Sequence, residues 1–222
     1  MVDTSLSKED AIEENDFETC THTRQLCDNG IKIGVSISKT FSNFNFLTVL
    51  NLSYTNLENE GTIALVNALK NSAPSLGVIE MAGNNITHDA ASAIAACLAT
   101  KRHLKKLNLS KNDLQDEGCV EIVKIMKDLE LEYVDMSYND LRRGALGLAH
   151  VVVKKESFKM LNIDGNVISV KGIDEVKEIF KNCPQLLGPL DENIPDGEEN
   201  EDHEEQNLED FEDEFVSVFI FY

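Results

Sequence analysis

Residues 104–114 read Leu-Lys-Lys-Leu-Asn-Leu-Ser-Lys-Asn-Asp-Leu, and this stretch decides the fold. Leu104, Leu107, Leu109 and Leu114 are apolar, and Asn112 stands between the last two. The pattern recurs four more times. The copies are Leu47, Leu50, Leu52, Thr55, Leu57; Leu76, Ile79, Met81, Asn84, Ile86; Leu131, Val134, Met136, Asn139, Leu141; and Phe158, Leu161, Ile163, Asn166, Ile168. Successive copies start 29, 28, 27 and 27 residues apart, and all 20 apolar slots hold apolar residues. A unit of this length cannot bury its apolar face alone, so units with this period must stack.

Each slot has a physical reason. Alternating apolar residues in the middle of the pattern place one face of a short strand inward. The Asn slot follows at a sharp turn, where an amide can both accept from and donate to backbone groups left unpaired. Asn84, Asn112, Asn139 and Asn166 are expected to line up as a structural ladder, with the Thr55 hydroxyl taking the same place in the first copy. Gly61, Ala90, Gly118, Ala145 and Gly172 stand 14 residues past each repeat start. A small residue there lets a helix approach the strand closely. Apolar residues at helical spacing follow, such as Ile94, Cys97 and Leu98, or Ile122, Ile125 and Met126. Glu58, Glu60, Asp89, Asp116 and Glu117 cluster at helix starts, where the dipole favours them. The expected fold is α/β: a leucine-rich repeat solenoid, a ribonuclease-inhibitor-like horseshoe with parallel strands concave and helices convex.

The 222 residues divide by pattern into three parts. Residues 1–19 are polar and acidic and show no capping pattern, so upstream repeats are expected to be missing, or this segment to improvise a cover. Residues 20–190 form the repeat domain, one degenerate copy and five full ones. The degenerate copy keeps Leu26, Asn29 and Ile31, and residues 34–44 read as its helix. The last helix is expected to stop near Asn182, before Cys183-Pro184, because Pro cannot continue it. Leu186, Leu187, Pro189 and Leu190 then fold over the final core layer. Residues 191–222 are an acidic tail of disordered composition. It ends in Val216, Val218, Phe219, Ile220, Phe221 and Tyr222, too few to span a membrane. That apolar end reads either as a foreign terminus or as a short docking peptide.

Charge limits the partners. The net charge is −20, and residues 191–215 hold 14 acidic and no basic residues, which leaves about −6 elsewhere. This balance disfavours nucleic acid and favours a basic protein surface. Five widely spaced cysteines form no CxxC pair, so reduced thiols are expected, with no disulfide framework or zinc site. His22, His88, His103, His150 and His203 are scattered, and there is no Gly-rich phosphate loop. The pattern therefore predicts a binding protein with no catalytic residue, cofactor or metal of its own. A monomer is expected, without a membrane span.

Several segments carry a family resemblance: LTVLNLSYTNLENEGTIALVNALKNSAPSL, HLKKLNLSKNDLQDEG, FKMLNIDGNVISVKGIDEV and CPQLLGPLDENIPDGEE. Across residues 20–200 the chain resembles the Ran GTPase-activating proteins, the plant members above all. The resemblance implies a regulator that stimulates GTP hydrolysis by the small GTPase Ran in nucleocytoplasmic transport. It implies a location in the cytoplasm and at the nuclear envelope. Nucleotide, magnesium and catalytic Gln would belong to Ran, which the activator orders without an arginine finger. The family's N-terminal targeting domain and its upstream repeats, with their Asn and Arg, match no residue here. The chain is therefore expected to fold but to activate weakly or not at all alone.

Candidate contacts lie on the strands and the loops beyond them. Tyr133, Asp135, Tyr138 and Asp140 form the best group, since Tyr is enriched where binding energy concentrates. Ordinary solvated strand surface is the competing reading. Arg142 and Arg143 would pair with an acidic partner, with the tail, or simply with water. Lys101, Arg102, Lys105 and Lys106 form one basic patch, open either to nucleic acid or to solvent. Two other functions compete. An acidic leucine-rich histone-binding protein would have shorter repeats, about 22–24 residues. A ribonuclease-inhibitor-like binder would be richer in Cys and Trp.

Overall fold

The computed structural model describes residues 46–194. The expected cover at 1–19, the degenerate repeat with Leu26, Asn29, Ile31 and residues 34–44, and the tail from 195 onward lie outside the described residues. Five strand–helix units follow in order: β1 Val49–Asn51, α1 Glu58–Lys70; β2 Val78–Glu80, α2 Ala91–Leu98; β3 Lys106–Asn108, α3 Gln115–Met126; β4 Tyr133–Asp135, α4 Gly144–Val152; β5 Met160–Asn162, α5 Val170–Ile179. A short 3-10 turn, His88–Ala90, leads into α2, and another, Pro184–Leu186, follows α5. The last helix thus ends at Ile179, three residues before Asn182.

The strands form one parallel sheet in sequence order. Val49 pairs with Val78, Val78 with Lys106, Lys106 with Tyr133, and Tyr133 with Met160. That register equals the sequence period, so equivalent positions of successive repeats fall in columns. All the apolar slots of the repeat are buried, from Leu47 to Ile168, and form one continuous core with the inner helix faces. This is the leucine-rich repeat solenoid. Gly118 shows why the helix start needs a small residue: a Cβ there would stand 3.1 Å from the His88 Cα of the preceding unit.

The ladder holds as expected and runs one rung further. Asn166 Oδ1 accepts from the N–H groups of Asn139 (2.8 Å) and Leu141 (3.1 Å). Its Nδ2 donates to the carbonyls of Ile163 (2.8 Å) and Met136 (3.2 Å). Asn112 and Asn84 repeat the arrangement. Thr55 donates its hydroxyl to Leu52 O at 2.8 Å. The extra rung is Asn193, whose Oδ1 accepts from Asn166 N–H at 2.9 Å and whose Nδ2 donates to Leu190 O at 3.1 Å. The ordered repeat structure therefore passes the expected boundary at 190. Asp164 Oδ1, accepting from Glu192 N–H at 2.8 Å, and a bridge between Leu161 and Leu187 hold this closing segment.

Candidate protein-binding surface

The columns create two surfaces: the concave strand face and the row of loops at the strand ends. On the concave face, Tyr133 and Met160 lie side by side in register, each 40% exposed. Lys159 Nζ stands 5.4 Å from the Tyr133 ring centroid. It also pairs with Glu132 at 2.5 Å, and Lys105 approaches Glu132 at 3.9 Å. The Lys159 hydrogen bond holds the Glu132 carboxyl below its usual range and raises Lys159 in turn. The next position on each strand forms a second polar column. Asp135 Oδ1 accepts from Ser137 N–H (3.0 Å) and hydroxyl (2.7 Å), and Asn108 does the same for Ser110. Asp135 thus shapes its own turn. Beyond it, Ala82, Ser110, Ser137 and Asp164 are buried, so the exposed concave face is narrower than strand alternation alone suggests.

At the strand ends, Tyr54, Gly83, Lys111 and Tyr138 occupy the same place in successive repeats. Each N–H donates to the next repeat's carbonyl, at 2.7, 2.9, 2.8 and 3.0 Å respectively. Every one of these residues has a left-handed backbone, with φ of 59, 61, 54 and 53°. Gly165 continues the column, with φ of 64°. The Tyr54 ring lies where a Cβ of Gly83 would be, 2.5 Å from that point, and the Tyr138 ring covers Gly165 likewise. Lys111 Nζ stands 5.8 Å from the Tyr54 centroid and 5.6 Å from that of Tyr138. The Tyr138 hydroxyl donates to Glu192 of the closing segment. Asp140, two residues past Tyr138, is exposed.

Of the six candidate residues, Tyr138 and Asp140 lie on the loop row, and Tyr133 and Asp135 on the concave face. Arg142 and Arg143 enter α4, and their backbone N–H groups donate to Asp116 of the preceding repeat at 2.9 and 3.0 Å. Gly144 N–H does so at 2.8 Å, so this carboxylate caps the next repeat's helix. Asp116 stands in the first turn of α3, yet its carboxylate serves the following helix.

The basic patch dissolves in the structure. Lys101 is 1% exposed, and its ammonium donates to Leu69 O (2.5 Å) and Ser72 O (2.7 Å), closing the end of α1. Lys155 repeats this role on Leu129 O at 2.7 Å. Lys106 pairs with Glu80 at 2.5 Å. Lys105 pairs with Glu132 at 3.9 Å, and Arg102 is exposed, so the four do not form one uniform cationic cluster. Among the described residues no group of three or more His, Cys, Asp or Glu could hold a metal. None of the described helices is long and apolar enough to cross a membrane. Cys97, Cys119 and Cys183 are free thiols; Cys20 and Cys27 lie outside the described residues.

A family model described as Leucine Rich repeat matches residues 45–66 and 100–123. The chain is 65% identical over 150 residues to RAN GTPase-activating protein 2 of Arabidopsis thaliana. It is 50% identical over 150 residues to RAN GTPase-activating protein 1 of the same plant. These matches cover 66% and 67% of this chain but only 28% of either relative. Among solved structures, a tropomodulin C-terminal domain from Caenorhabditis elegans superposes with a TM-score of 0.52 at 15% identity, covering 68% of this chain and 91% of that one. That last likeness concerns the fold alone.

Proposed function

We infer that this chain, whose repeats are those of plant RAN GTPase-activating proteins, is a protein-binding regulator of a Ran-type small GTPase. The observation that best supports this reading is the 65% identity over 150 residues, about the whole of the described repeats in length. In this reading the chemistry belongs to the GTPase, whose own residues and magnesium act on the phosphate. The repeats supply a rigid surface that orders the partner, which suits a frame tied at every turn by buried amides. Tyr133, Tyr138, Asp140, Arg142 and Arg143 are the proposed contacts, and Tyr carries the largest share. Asp135 supports them from its turn.

The matched stretch is 28% of each relative, so the chain by itself is proposed to accelerate hydrolysis weakly. The proposed location is the cytoplasm and the nuclear envelope, the proposed state is a monomer, and the acidic tail is proposed to favour a basic partner surface. Binding of the purified chain to a Ran-type GTPase loaded with GTP or with GDP tests the first claim, and single-turnover hydrolysis tests the second. Absence of binding to either form refutes the partner. Acceleration on the order of the 10⁵-fold that full activators reach refutes weak activity.

A further inference from the structure

The loop row holds a feature that the repeat template does not require. A leucine-rich frame needs the left-handed turn but no particular side chain there, and glycine serves at Gly83 and Gly165. Tyr54, Lys111 and Tyr138 instead carry a left-handed backbone on large side chains, which is costly for bulky residues. The alternation gives the geometry. Neighbouring positions within the column are about 4.8 Å apart. Lys111 is one repeat from Tyr138 and two from Tyr54, and it stands near both rings because the Tyr54 ring lies over Gly83, in the repeat next to Lys111. Each ring packs against a glycine, and each tyrosine keeps a large exposed area. Tyr54 is 56% exposed and Tyr138 40%. Such rings lose little freedom on binding, because the fold has already fixed them.

We propose that Tyr54, Lys111 and Tyr138 form an aromatic rail that receives a basic segment of a partner protein, one lysine or arginine to each ring face. Three observations commit the rail to a basic occupant. Ring faces attract cations, and the protein's own Lys111 already takes that position against both rings. The flanking positions carry carboxylates: Asp113 and Asp140 two residues past the rail, and Glu192 at the Tyr138 hydroxyl. The chain as a whole carries −20. Lys111 therefore acts as an internal stand-in, and it competes with the incoming cation.

This inference rests on the partner reading above when the partner is the GTPase, and its test separates the two. Affinity of the full chain is measured for the Ran-type GTPase and, separately, for a ten-residue Arg/Lys peptide, with wild type, Tyr54→Ala, Tyr138→Phe and Lys111→Met. Melting temperature is recorded for each variant. Lys111 is exposed, so Lys111→Met keeps the test valid if an aromatic variant unfolds. The expected results are about tenfold weaker binding for Tyr54→Ala and severalfold tighter binding for Lys111→Met. Tyr138→Phe keeps the ring and stays near wild type. Weaker binding by Lys111→Met overturns the proposal, because Lys111 would then be the contact and the partner segment acidic. If the GTPase binds and no variant changes its affinity, the rail fails while the partner reading stands. If the GTPase does not bind, the partner reading fails and the peptide decides: peptide binding lost in Tyr54→Ala upholds the rail, and absence of peptide binding refutes it.

Discussion

Asn166→Ala should unfold the chain at markedly lower denaturant, and the structure sets the size of the effect. Asn166 is 2% exposed. Its amide oxygen serves Asn139 N–H at 2.8 Å and Leu141 N–H at 3.1 Å, and both of those residues are fully buried. Alanine leaves both donors unpaired in a site that water does not reach, at about 1–3 kcal/mol each. Ile163 O loses its 2.8 Å donor as well, whereas Met136 O keeps Asn139 Nδ2 at 3.2 Å. The expected loss is about 3–5 kcal/mol, a large part of a typical stability of about 5–15 kcal/mol. For a chain of this size that is about 6–20 °C in melting temperature. Thr55 supplies the control. Its hydroxyl donates to Leu52 O, so Asn166→Thr should restore the bond to Ile163 O and recover about 1–2 kcal/mol. Urea and thermal melts followed by circular dichroism measure both. A loss below about 1 kcal/mol for Asn166→Ala would mean that the ladder amides are replaceable and the argument from buried donors is wrong.

Three further outcomes are expected. Lys101→Met should cost about 1–3 kcal/mol, because two carbonyls at the end of α1 lose their ammonium. Burial holds Lys101 and Lys155 below the ordinary lysine value of 10.5. Just below pH 10.5 the unfolded chain therefore keeps protons that the folded chain has shed, and these two groups make stability rise with pH through that window. Stability against pH for Lys101→Met should show a shallower rise; an unchanged slope would count against this assignment. Asp116→Ala should cost about 1–2 kcal/mol and loosen the start of α4, which hydrogen exchange at Arg142, Arg143 and Gly144 would report. Burial pushes the Cys97 thiol up to about 11 and Cys119 well above its ordinary value, while Cys183 is only half-buried. Iodoacetamide at neutral pH followed by peptide mass spectrometry should label Cys183 well before either; equal labelling would contradict the burial argument.

The sequence by itself determined the frame. Leu104, Leu107, Leu109 and Leu114 with their four sister sets fix strand, turn and helix, because burying apolar side chains needs only a period, and a period is visible in one dimension. It also placed Tyr138 and Asp140 on the loop row and the four ladder Asn residues in line. The ends of long polar side chains were decided only in three dimensions. Lys101 looked like part of a basic patch and is a buried helix cap. Asp116 looked like a charge on its own helix and closes the next one, and Asn193 was read into the tail but ends the ladder. The spacing could have revealed Asn193, which stands 27 residues past Asn166 with Leu190 three residues before it, as Ile163 precedes Asn166. Nothing comparable marks Lys111 or Asp116. A flexible cation or carboxylate takes whichever partner the neighbouring repeat brings within about 3 Å, and that partner is set by the stacking of repeats some 27 residues apart in the chain.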